Sequence, residues 1–507
     1  MIQRIRTAAL AIALAALLWP FAAHAQTFSI SGVELDASDY LGPEEFDAIT
    51  GGYVNRPISF ADLQAMIAEI NDAYLSAGVV TALAILPPQE IRNGILQVRL
   101  VEARIDTVDV SALQTTREDF MRANISLIEG EKPDYDQLEI DLRTFEIAHD
   151  FRPVLSFGPG EAEGMASAFI SGEEPARYQQ TLSADNFGSA STGEARLSYF
   201  GRWNSVSGVR DTLSLQLQVS EGAYSIGTGY SRPVGPGGGR VIGSLTYADS
   251  EVIFGPFAPI NIVSNSASAN LAYSRPFWVA PDRYWQVTAG LGYEFSSSTL
   301  SDTDLLETDL VEVNITTRYQ RNFPQADMNI VLGLTIGEAD AADTSETEGD
   351  YWFLTGGASY VQRFAEDFSF TVSATGQYGV DQNLPPARLF NAGGPTSVRG
   401  YPNGVRSGDS GLVVQTQISR REYQIDAFGG MTAAPFGFLD TAIVVPFRVD
   451  GSIDSEQDYL ASAGGGAVMR FQNDVSATFF VGVPLVETLG FDATGQAEVY
   501  LGVDWNF

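Results

Sequence analysis

Apolar and polar side chains alternate along many short segments from about residue 179 to the C-terminal Phe507. In DTLSLQLQVS (211–220), apolar residues run from Leu213 to Val219 in steps of two, and Ser or Gln stands between them. VEVNITTRYQ (311–320) follows the same pattern. A period of two belongs to β-strands, because successive side chains of a strand point to opposite faces of the sheet. This part of the chain is therefore predicted to be all β.

The strand signals favour a closed membrane barrel over a soluble sandwich, although the strands of a sandwich also alternate. Strand and turn signals recur about every twenty residues, which suits roughly sixteen antiparallel strands of about ten residues. Aromatic pairs and runs gather near strand ends, as the girdles of membrane barrels require: Phe277–Trp278, Tyr284–Trp285 and Tyr351–Phe353. The last strand carries one apolar face, made of Val499, Leu501, Val503, Trp505 and Phe507. A sheet in lipid has to close, since an unpaired backbone group in hydrocarbon costs several kcal/mol.

Two small α/β modules precede the strand array, at predicted domains 26–103 and 104–178. In the first, a Ser59–Asp62 capping box and an apolar stripe predict a helix. The predicted elements are a helix at 59–78 and strands at 79–87 and 95–105, then a second helix at 134–150 and strands at 152–160 and 165–172. The fold class expected for the whole chain is α+β modules followed by an all-β transmembrane barrel of about 16 antiparallel strands, at 179–507.

Residues 1–25 have the features of a secretory signal peptide. Arg4 and Arg6 precede an apolar run from Ala8 to Leu18, and small residues flank His24. This run is too short to span a bilayer comfortably, and no later stretch reaches the roughly 18 continuous apolar residues of a membrane helix. Any membrane crossing is therefore expected to be made by strands.

The composition argues against several other functions. The chain has 29 Lys and Arg residues against 63 Asp and Glu residues, a net charge of -34, whereas nucleic-acid binding needs clustered basic residues. It has no cysteine, and only His149 remains after signal-peptide removal, so no metal site and no cofactor are expected. We expect His149 to be a helix-end cation or a surface residue. The acidic runs at 301–310 and 338–350 are expected to be solvated loops rather than a pore lining or a divalent-ion site.

Two short motifs superficially match enzyme motifs. GDSG (408–411) matches the sequence around a chymotrypsin-like nucleophilic serine, but that mechanism needs a histidine base, and His149 lies in a predicted helix of another domain. GPGGGR (235–240) lacks the Lys-Ser/Thr ending of a phosphate-binding loop and lies between two strand signals, so it is predicted to be a hairpin turn. The chain is not expected to be an enzyme.

The segment SVRGYPNGVRSGDSG (397–411) is the most distinctive of the sequence. It resembles the signature of two-partner secretion transporters (TpsB type), the haemolysin secretion/activation family of the POTRA-plus-barrel superfamily. Residues 71–105 resemble the first POTRA domain of that family, and residues 182–197 resemble the start of its barrel. FGFLDTA (436–442) is similar to a superfamily strand motif ending in Asp-x-Gly, with Ala442 in place of the glycine. The resemblance covers nearly the whole mature chain.

This resemblance implies that a long extracellular loop, around 391–411, folds back into the lumen. The implied tip residues are Val398, Arg399, Gly400 and Tyr401. Arg399 would meet Asp440 on the barrel wall, with Phe438 beside it. A guanidinium in a partly desolvated lumen is costly alone, whereas a carboxylate offers it a bidentate partner. A glycine-rich surface loop is the simpler alternative.

The resemblance also implies a function, which is export of a largely unfolded partner exoprotein across the bacterial outer membrane. The POTRA domains would lie in the periplasm and receive that protein. Addition of an extended chain to a sheet edge would bind it with loose sequence demands. The groove expected to bind it lies beside the 59–78 helix, and its candidate residues are Leu63, Ile67, Tyr74 and Gly78.

Two alternatives remain open at this point. An assembly factor of the same superfamily would insert barrel proteins into the membrane, but such factors usually carry three or more POTRA domains. A passive porin would have no need for the two modules. The expected partners are the secreted protein and outer-membrane lipid, and a monomer is the simplest expectation for the oligomeric state. Many such transporters have an N-terminal plug helix, for which the strand signal soon after Ala25 leaves no room.

Overall fold

The computed structural model describes residues 27–301, 303–342, 349–364, 367–379, 383–426, 430–445, 458–472, 474–488 and 494–507. The predicted signal peptide, residues 1–25, lies outside this described part of the chain. None of the helices in the described part is both long enough and apolar enough to cross a membrane.

The first module contains two helices and a three-stranded sheet. Its elements are β1 Phe28–Ser29, β2 Gly32–Leu35, α1 Pro43–Thr50, β3 Pro57–Ile58, α2 Phe60–Ser76, β4 Ala82–Ile85 and β5 Ile95–Glu102. The capping box of α2 is confirmed, because the Ser59 hydroxyl accepts from the Asp62 amide and the Asp62 carboxylate accepts from the Ser59 amide at 2.7 Å. Met66 and Ile70 of the predicted apolar stripe are fully buried in the core. β5 pairs in parallel with β2 and antiparallel with β4, so β2 and β4 are the two edge strands of this sheet.

The second module repeats this order of elements, as the sequence predicted. Its elements are β6 Arg104–Asp109, α3 Glu118–Ala123, α4 Tyr135–Ala148, β7 Pro153–Pro159 and β8 Met165–Gly172. Its sheet has the order β6-β8-β7, and β6 pairs in parallel with β8. In both modules the first long strand is therefore parallel to the last. The short helices α1 and α3 were not predicted from the sequence.

A closed barrel follows the modules. Its strands and those of its loops are β9 Tyr178–Asp185, β10 Arg196–Asn204, β11 Thr212–Val219, β12 Ala223–Pro233, β13 Arg240–Glu251, β14 Ile262–Ala280, β15 Arg283–Leu300, β16 Thr303–Phe323, β17 Ala326–Ala342, β18 Gly349–Phe364, β19 Phe368–Gly379, β20 Phe390–Ala392, β21 Arg406–Gly408, β22 Ser410–Arg420, β23 Tyr423–Ile425, β24 Met431–Val445, β25 Asp458–Arg470, β26 Val475–Pro484 and β27 Glu498–Asn506. Neighbouring wall strands are antiparallel, and β27 pairs with β9 to close the ring. Within the described residues, sixteen strands form the wall, while β20, β21 and β23 are short pieces of connecting hairpins. The fold class predicted from the sequence is confirmed.

The outer face of the barrel is apolar. Leu213, Leu215, Leu217 and Val219, which share one face of β11, are 37% to 48% exposed. The predicted face of β27, which includes Trp505, is exposed as well. An apolar exposed surface of this kind is suited to lipid, and the closed ladder leaves no free sheet edge in it.

The aromatic girdles are only partly as predicted. Phe277, Trp278 and Trp352 point outward, but Tyr284 and Tyr351 are buried on the inner side, as is Phe353. The prediction treated consecutive aromatic residues as one outward set. Because neighbouring residues of a regular strand point to opposite faces, every second aromatic of such a run points into the barrel. Phe277 and Trp278 both point outward because a bulge shifts the register between Pro276 and Trp278.

Strands β14–β18 are longer than the predicted ten residues, with 16 to 21 residues each. The prediction of solvated loops at 301–310 and 338–350 is therefore wrong for residues 303–310, 338–342 and 349–350, which lie in β16, β17 and β18 respectively. Residues 343–348 lie outside the described part of the chain. A strand of this length exceeds the apolar band of about 25 Å, and its polar end remains paired with its neighbours beyond that band.

The chain forms two compact units. Of the described residues, one unit contains those up to Asp109 together with 127–135 and 155–169, and the other contains 110–126, 136–154 and those from 170 onwards. Residues of the predicted second domain, 104–178, thus belong to both units. The segment that carries α3 and most of α4 belongs to the same compact unit as the barrel.

Candidate functional site

The segment between β19 and β22 folds into the barrel as a hairpin. Its base is the pairing of β20 with β21, from Phe390 opposite Gly408 to Ala392 opposite Arg406. Gly393 and Gly394 have φ angles of +106° and +96° at the start of the tip, where a side chain would be strained. The tip residues Val398 and Tyr401 are fully buried against wall residues of β22, β24 and β25.

Arg399 at this tip is bound to the inner wall by several groups at once. Its Nε lies 2.7 Å from Asp440 Oδ2 and its Nη2 lies 2.8 Å from Asp440 Oδ1, so the guanidinium and the carboxylate form a two-pronged ion pair. The Arg399 amide also donates to Asp440, and Nη1 donates to Gln417 Oε1 at 2.8 Å. The Cζ atom lies 3.6 Å from the centroid of the Phe438 ring. Asp440 is fully buried, and this set of partners compensates for its desolvation.

The backbone of the tip lies directly on the backbone of β26. A Cβ at Gly400 would lie 2.8 Å from the carbonyl carbon of Gly482, and a Cβ at Gly482 would lie 2.7 Å from that of Arg399. Gly400 also has a φ angle of +104°. The Gly400 amide donates to the Tyr500 hydroxyl, which in turn donates to the carbonyl of Tyr401. Two glycines that face each other are thus required for this close approach.

Apolar packing around the tip explains the alanine that departs from the family motif. Ala442 is buried and belongs to one cluster with Val398 and Tyr401 of the loop and Val444 of the wall. Its methyl group therefore fills space between the loop and β24. The Tyr401 hydroxyl reaches past this cluster and donates to the Val486 carbonyl at 2.6 Å.

A second candidate site is an apolar groove in the first module. It is lined by Phe28, Phe60, Leu63, Gln64, Ile67, Leu86, Pro87, Pro88, Gln89, Ile91 and Leu96. Two of the four residues that the sequence suggested, Leu63 and Ile67, lie in it. Tyr74 does not, because it is fully buried in the core and its hydroxyl contacts Ser38 and Glu102. Gly78 ends α2 outside the groove with a φ angle of +78°.

Comparison with known families adds an independent observation. The model of the family described as Haemolysin secretion/activation protein ShlB/FhaC/HecB matches residues 169–468, which is more than half of the chain. The chain belongs to this family. The model of the POTRA domain, ShlB-type, matches residues 28–103, the first module.

Known relatives of this transporter agree with the assignment. It is 22% identical over 427 residues to the outer membrane transporter CdiB of Dickeya dadantii, which covers 80% of this chain and 74% of that protein. It is 21% identical over 399 residues to the heme/hemopexin transporter protein HuxB of Haemophilus influenzae, covering 74% and 69% of the two chains. The structure of CdiB from Escherichia coli matches with a TM-score of 0.71 at 19% identity, over 96% of this chain and 92% of that one.

The family membership decides between the alternatives left open by the sequence. The protein is an outer-membrane transporter of the two-partner secretion type, with its POTRA region in the periplasm. The assembly-factor and porin interpretations are set aside, because the matched family is one of secretion transporters.

Sequence reasoning missed a second ion pair of the transporter's loop. Arg388 lies just before β20, and its Nε and Nη2 bind the two carboxylate oxygens of Glu312 at 2.5 and 3.0 Å. Its Nη1 lies 3.0 Å from Glu294 Oε2, and Tyr351 donates to Glu312 at 2.6 Å. These acids project from β15 and β16, whereas Asp440 projects from β24. The loop is therefore anchored to two separate parts of the wall.

The scarcity of basic residues in the sequence could have drawn attention to Arg388. Three arginines, Arg388, Arg399 and Arg406, occur within one loop of a chain that has 29 Lys and Arg residues in total. Arg406 also forms an ion pair, with Asp458 of β25 at 2.7 Å. Each of these cations meets an acid of the wall, which the linear sequence does not reveal because the partners lie between 41 and 94 positions away.

The remaining predictions concern His149 and the enzyme-like motifs. His149 is not a surface cation, since its ring is largely buried and packs against Phe120 and Phe145. Burial, together with the nearby guanidinium groups of Arg240 and Arg210, lowers the pKa of His149 from 6.5 to about 3. GPGGGR (235–240) is a hairpin turn, as predicted, since Pro233 of β12 pairs with Arg240 of β13. Ser410 of the GDSG motif bonds to the backbone of Gly379.

Proposed function

We propose that this transporter exports an exoprotein that is largely unfolded in the periplasm and is first held by the groove of the first POTRA module. The groove is the observation that carries the proposal. Phe60 is 61% exposed at its margin, and Ile91 and Leu96 extend its apolar lining. An apolar surface of this kind on a soluble module favours the binding of an extended apolar segment.

The adjacent sheet edge adds backbone hydrogen bonds to this surface. β4 has β5 as its strand neighbour within the described part of the sheet, and its other edge has no paired strand there. An extended chain laid along such an edge bonds through its backbone, while alternate side chains enter the groove. This mode of binding suits an unfolded substrate, because it depends little on sequence.

In the barrel, the proposed path passes the folded loop. The loop's tip is held by the ion pair with Asp440, by hydrogen bonds to Gln417, Tyr500 and Val486, and by apolar contacts. None of these contacts belongs to the strand ladder, so the tip can leave as a unit without breaking the wall. We propose that Arg399 holds the loop in the resting state and that the loop shifts when the exoprotein enters. Loops that move on ligand binding open without unfolding the rest of the structure.

Two matched variants of α2 test the capture step. Phe60 and Leu75 are 61% and 59% exposed on the same helix, but only Phe60 lines the groove. A negatively charged aspartate stabilises a helix at its N-terminus and destabilises it at its C-terminus. Phe60→Asp should therefore leave α2 more stable than Leu75→Asp does. A loss of export confined to Phe60→Asp is therefore a loss of binding.

The exported protein is identified first, as the protein that wild-type cells release into the medium and that cells lacking this transporter do not. Phe60→Asp should leave most of this exoprotein in the cells, and Leu75→Asp should release it normally. Equal release by both variants would remove the groove from the mechanism. Normal amounts of other outer-membrane barrel proteins in the deletion strain are also expected, since the transporter is not an assembly factor.

A further inference from the structure

Two turns at the periplasmic end of the barrel are partly buried instead of fully exposed to water. The first, residues 205–211, joins β10 to β11, and both Ser205 and Asp211 in it are at most 1% exposed. The second, residues 234–239, joins β12 to β13. Turns between barrel strands normally lie at the surface. These two pack against residues 115–117 and 148–151, which belong to the same compact unit as the barrel.

Arg210 of the first turn has no exposed side-chain surface. Its Nε donates to Asp150 at 2.7 Å, and its Nη2 donates to the other oxygen of the same carboxylate. Its Nη1 lies 2.8 Å from the hydroxyl of Thr115 and 3.2 Å from Glu174. Its Cζ lies 5.1 Å from the centroid of the Phe151 ring. The whole guanidinium is thus used to join the barrel turn to residues before α3, after α4 and between β8 and β9.

Backbone contacts hold the same turn in register. The Arg117 amide donates to the Gly208 carbonyl at 2.8 Å, and the Ser205 hydroxyl donates to the Thr115 carbonyl at 2.6 Å. Gly208 has a φ angle of +84°, and a Cβ there would lie 2.7 Å from Cγ of Arg117. The turn is therefore shaped to fit this one surface closely.

The second turn holds the C-terminal end of α4. Arg240 donates to the Ala148 carbonyl at 3.0 Å, which places a cation at the negative end of the helix dipole. It also donates to the Arg210 carbonyl at 3.2 Å, so the two turns are linked to each other. At Gly238 a Cβ would lie 2.9 Å from the Cβ of Ala148, so the glycine allows the turn to approach the helix.

We propose that Arg210 locks the segment of α3 and α4 onto the periplasmic rim of the barrel, and that this lock stays closed throughout export. Arg210 is then a positioning residue, which fixes where the exoprotein meets the opening of the lumen. The side chain of Arg210 has four polar partners, Asp150, Thr115, Thr116 and Glu174, whereas that of Arg399 has two, Asp440 and Gln417. In this proposal the loop moves, while the joint between the barrel turns and the α3–α4 segment does not. The inference rests on the export function proposed above and adds a fixed part to its mechanism.

A disulfide across the joint tests whether it must open. The natural chain has no cysteine, so introduced cysteines have no competing partners. A Cβ at position 208 would lie 3.7 Å from the Cβ of Arg117, within the range that a disulfide requires, about 3.5–4.5 Å. The variant Arg117→Cys with Gly208→Cys should form this bond in the oxidising periplasm. Gly208→Cys alone controls for backbone strain at the positive φ angle.

The oxidised double variant should export as much exoprotein as the Gly208→Cys control. Export that is blocked in the oxidised variant and restored by a reductant would overturn the proposal, because the joint would then have to open. Export by the wild-type protein in the same strain tests the proposed function separately. A failure of the proposed function is therefore distinguishable from a failure of the proposal that the joint stays closed.

A second arm tests the role of Arg210. Arg210→Ala should lower export roughly tenfold. The barrel of this variant should keep its heat-modifiable migration in gels, which shows that it is folded. The control is Arg232→Ala, at an exposed arginine of β12, which should export normally. Adding the 117–208 disulfide to Arg210→Ala should restore export, and a reductant should remove that rescue. Normal export by Arg210→Ala, or a folded variant that the disulfide fails to rescue, contradicts a positioning role.

Discussion

The guanidinium of Arg399 lies over the ring of Phe438, with 3.6 Å between Cζ and the ring centroid. Phe438 and the partner carboxylate of Asp440 are two positions apart on β24, so both point into the lumen. The cation therefore rests on an aromatic face and is held by an anion from the same strand. This arrangement binds an arginine better than a lysine, whose ammonium group has no planar fork.

We expect Arg399→Ala to insert into the membrane but to export poorly. The change leaves Asp440 buried without its cation, which typically costs about 3–5 kcal/mol and displaces the tip from its resting position. Arg399→Lys should be intermediate, because it keeps the charge and loses the two-pronged geometry. Exoprotein in the medium is the measurement, with Arg92→Ala, at a highly exposed side chain, as the control. Normal export by folded Arg399→Ala would exclude the tip from the mechanism.

Gly482→Ala tests whether the tip has to touch β26. The new methyl group would lie 2.7 Å from the Arg399 carbonyl carbon, so we expect the tip to be pushed off at a cost of about 1–3 kcal/mol. Export should fall as it does in Arg399→Ala. Gly356→Ala is the matched control, because a Cβ there meets only Leu332 Cδ2 at 3.9 Å. If both alanine variants export alike, the glycine contact has no role in the resting state.

Arg388→Ala should loosen the root of the loop while leaving the tip pair intact. Its removal leaves Glu312 and Glu294 facing each other without the cation between them. We expect a several-fold rise in the ion conductance of the purified transporter in planar bilayers, because the loop then fills the lumen less completely. Arg363→Ala removes an exposed ion pair with Asp327 and should leave the conductance unchanged. An unchanged conductance in Arg388→Ala would show that the tip alone holds the loop.

The lowered pKa of His149 predicts that acid loosens the joint around the end of α4. The pKa of His149 in the folded chain is about 3, against 6.5 when the residue is exposed, so below pH 6.5 the unfolded form binds a proton that the folded form does not. The contribution of neutral His149 to the stability of the folded chain is therefore fully present above pH 6.5, and it is lost progressively as the pH falls from 6.5 towards 3. The loss is about 1.4 kcal/mol per pH unit, or about 2 kcal/mol at pH 5. The groups that face His149 are Arg240, Arg210, Phe120 and Phe145.

Hydrogen exchange of residues 115–117 and 148–151 measures this effect, after correction for the pH dependence of the intrinsic rate. Protection should fall between pH 7 and pH 5 in the wild type and should fall less in His149→Asn, which cannot take up the proton. A pH response of equal size in both proteins would assign it to other groups.

Much of the fold could be predicted from local pattern alone. The period of two in β11 and β16, the capping box at Ser59, and the outward face that ends at Phe507 each depend on residues close together in the chain. Such signals are local because a strand's faces and a helix's first turn are set by neighbouring residues. The segment around Arg399 also stood out, since its spacing resembles that of a known family.

Other features depended on partners far apart in the chain. The sequence could not pair Arg388 with Glu312 or Arg210 with Asp150, and it placed Tyr74 in a groove where the structure buries it. It also assigned His149 to the surface, although the ring is enclosed by residues up to 91 positions away. Closing the ring of strands decides which distant side chains meet, and burial then determines which charges have to pair. The chain alone thus determined which segments form strands and which faces meet lipid, whereas only the tertiary structure decided which arginines are anchored and where.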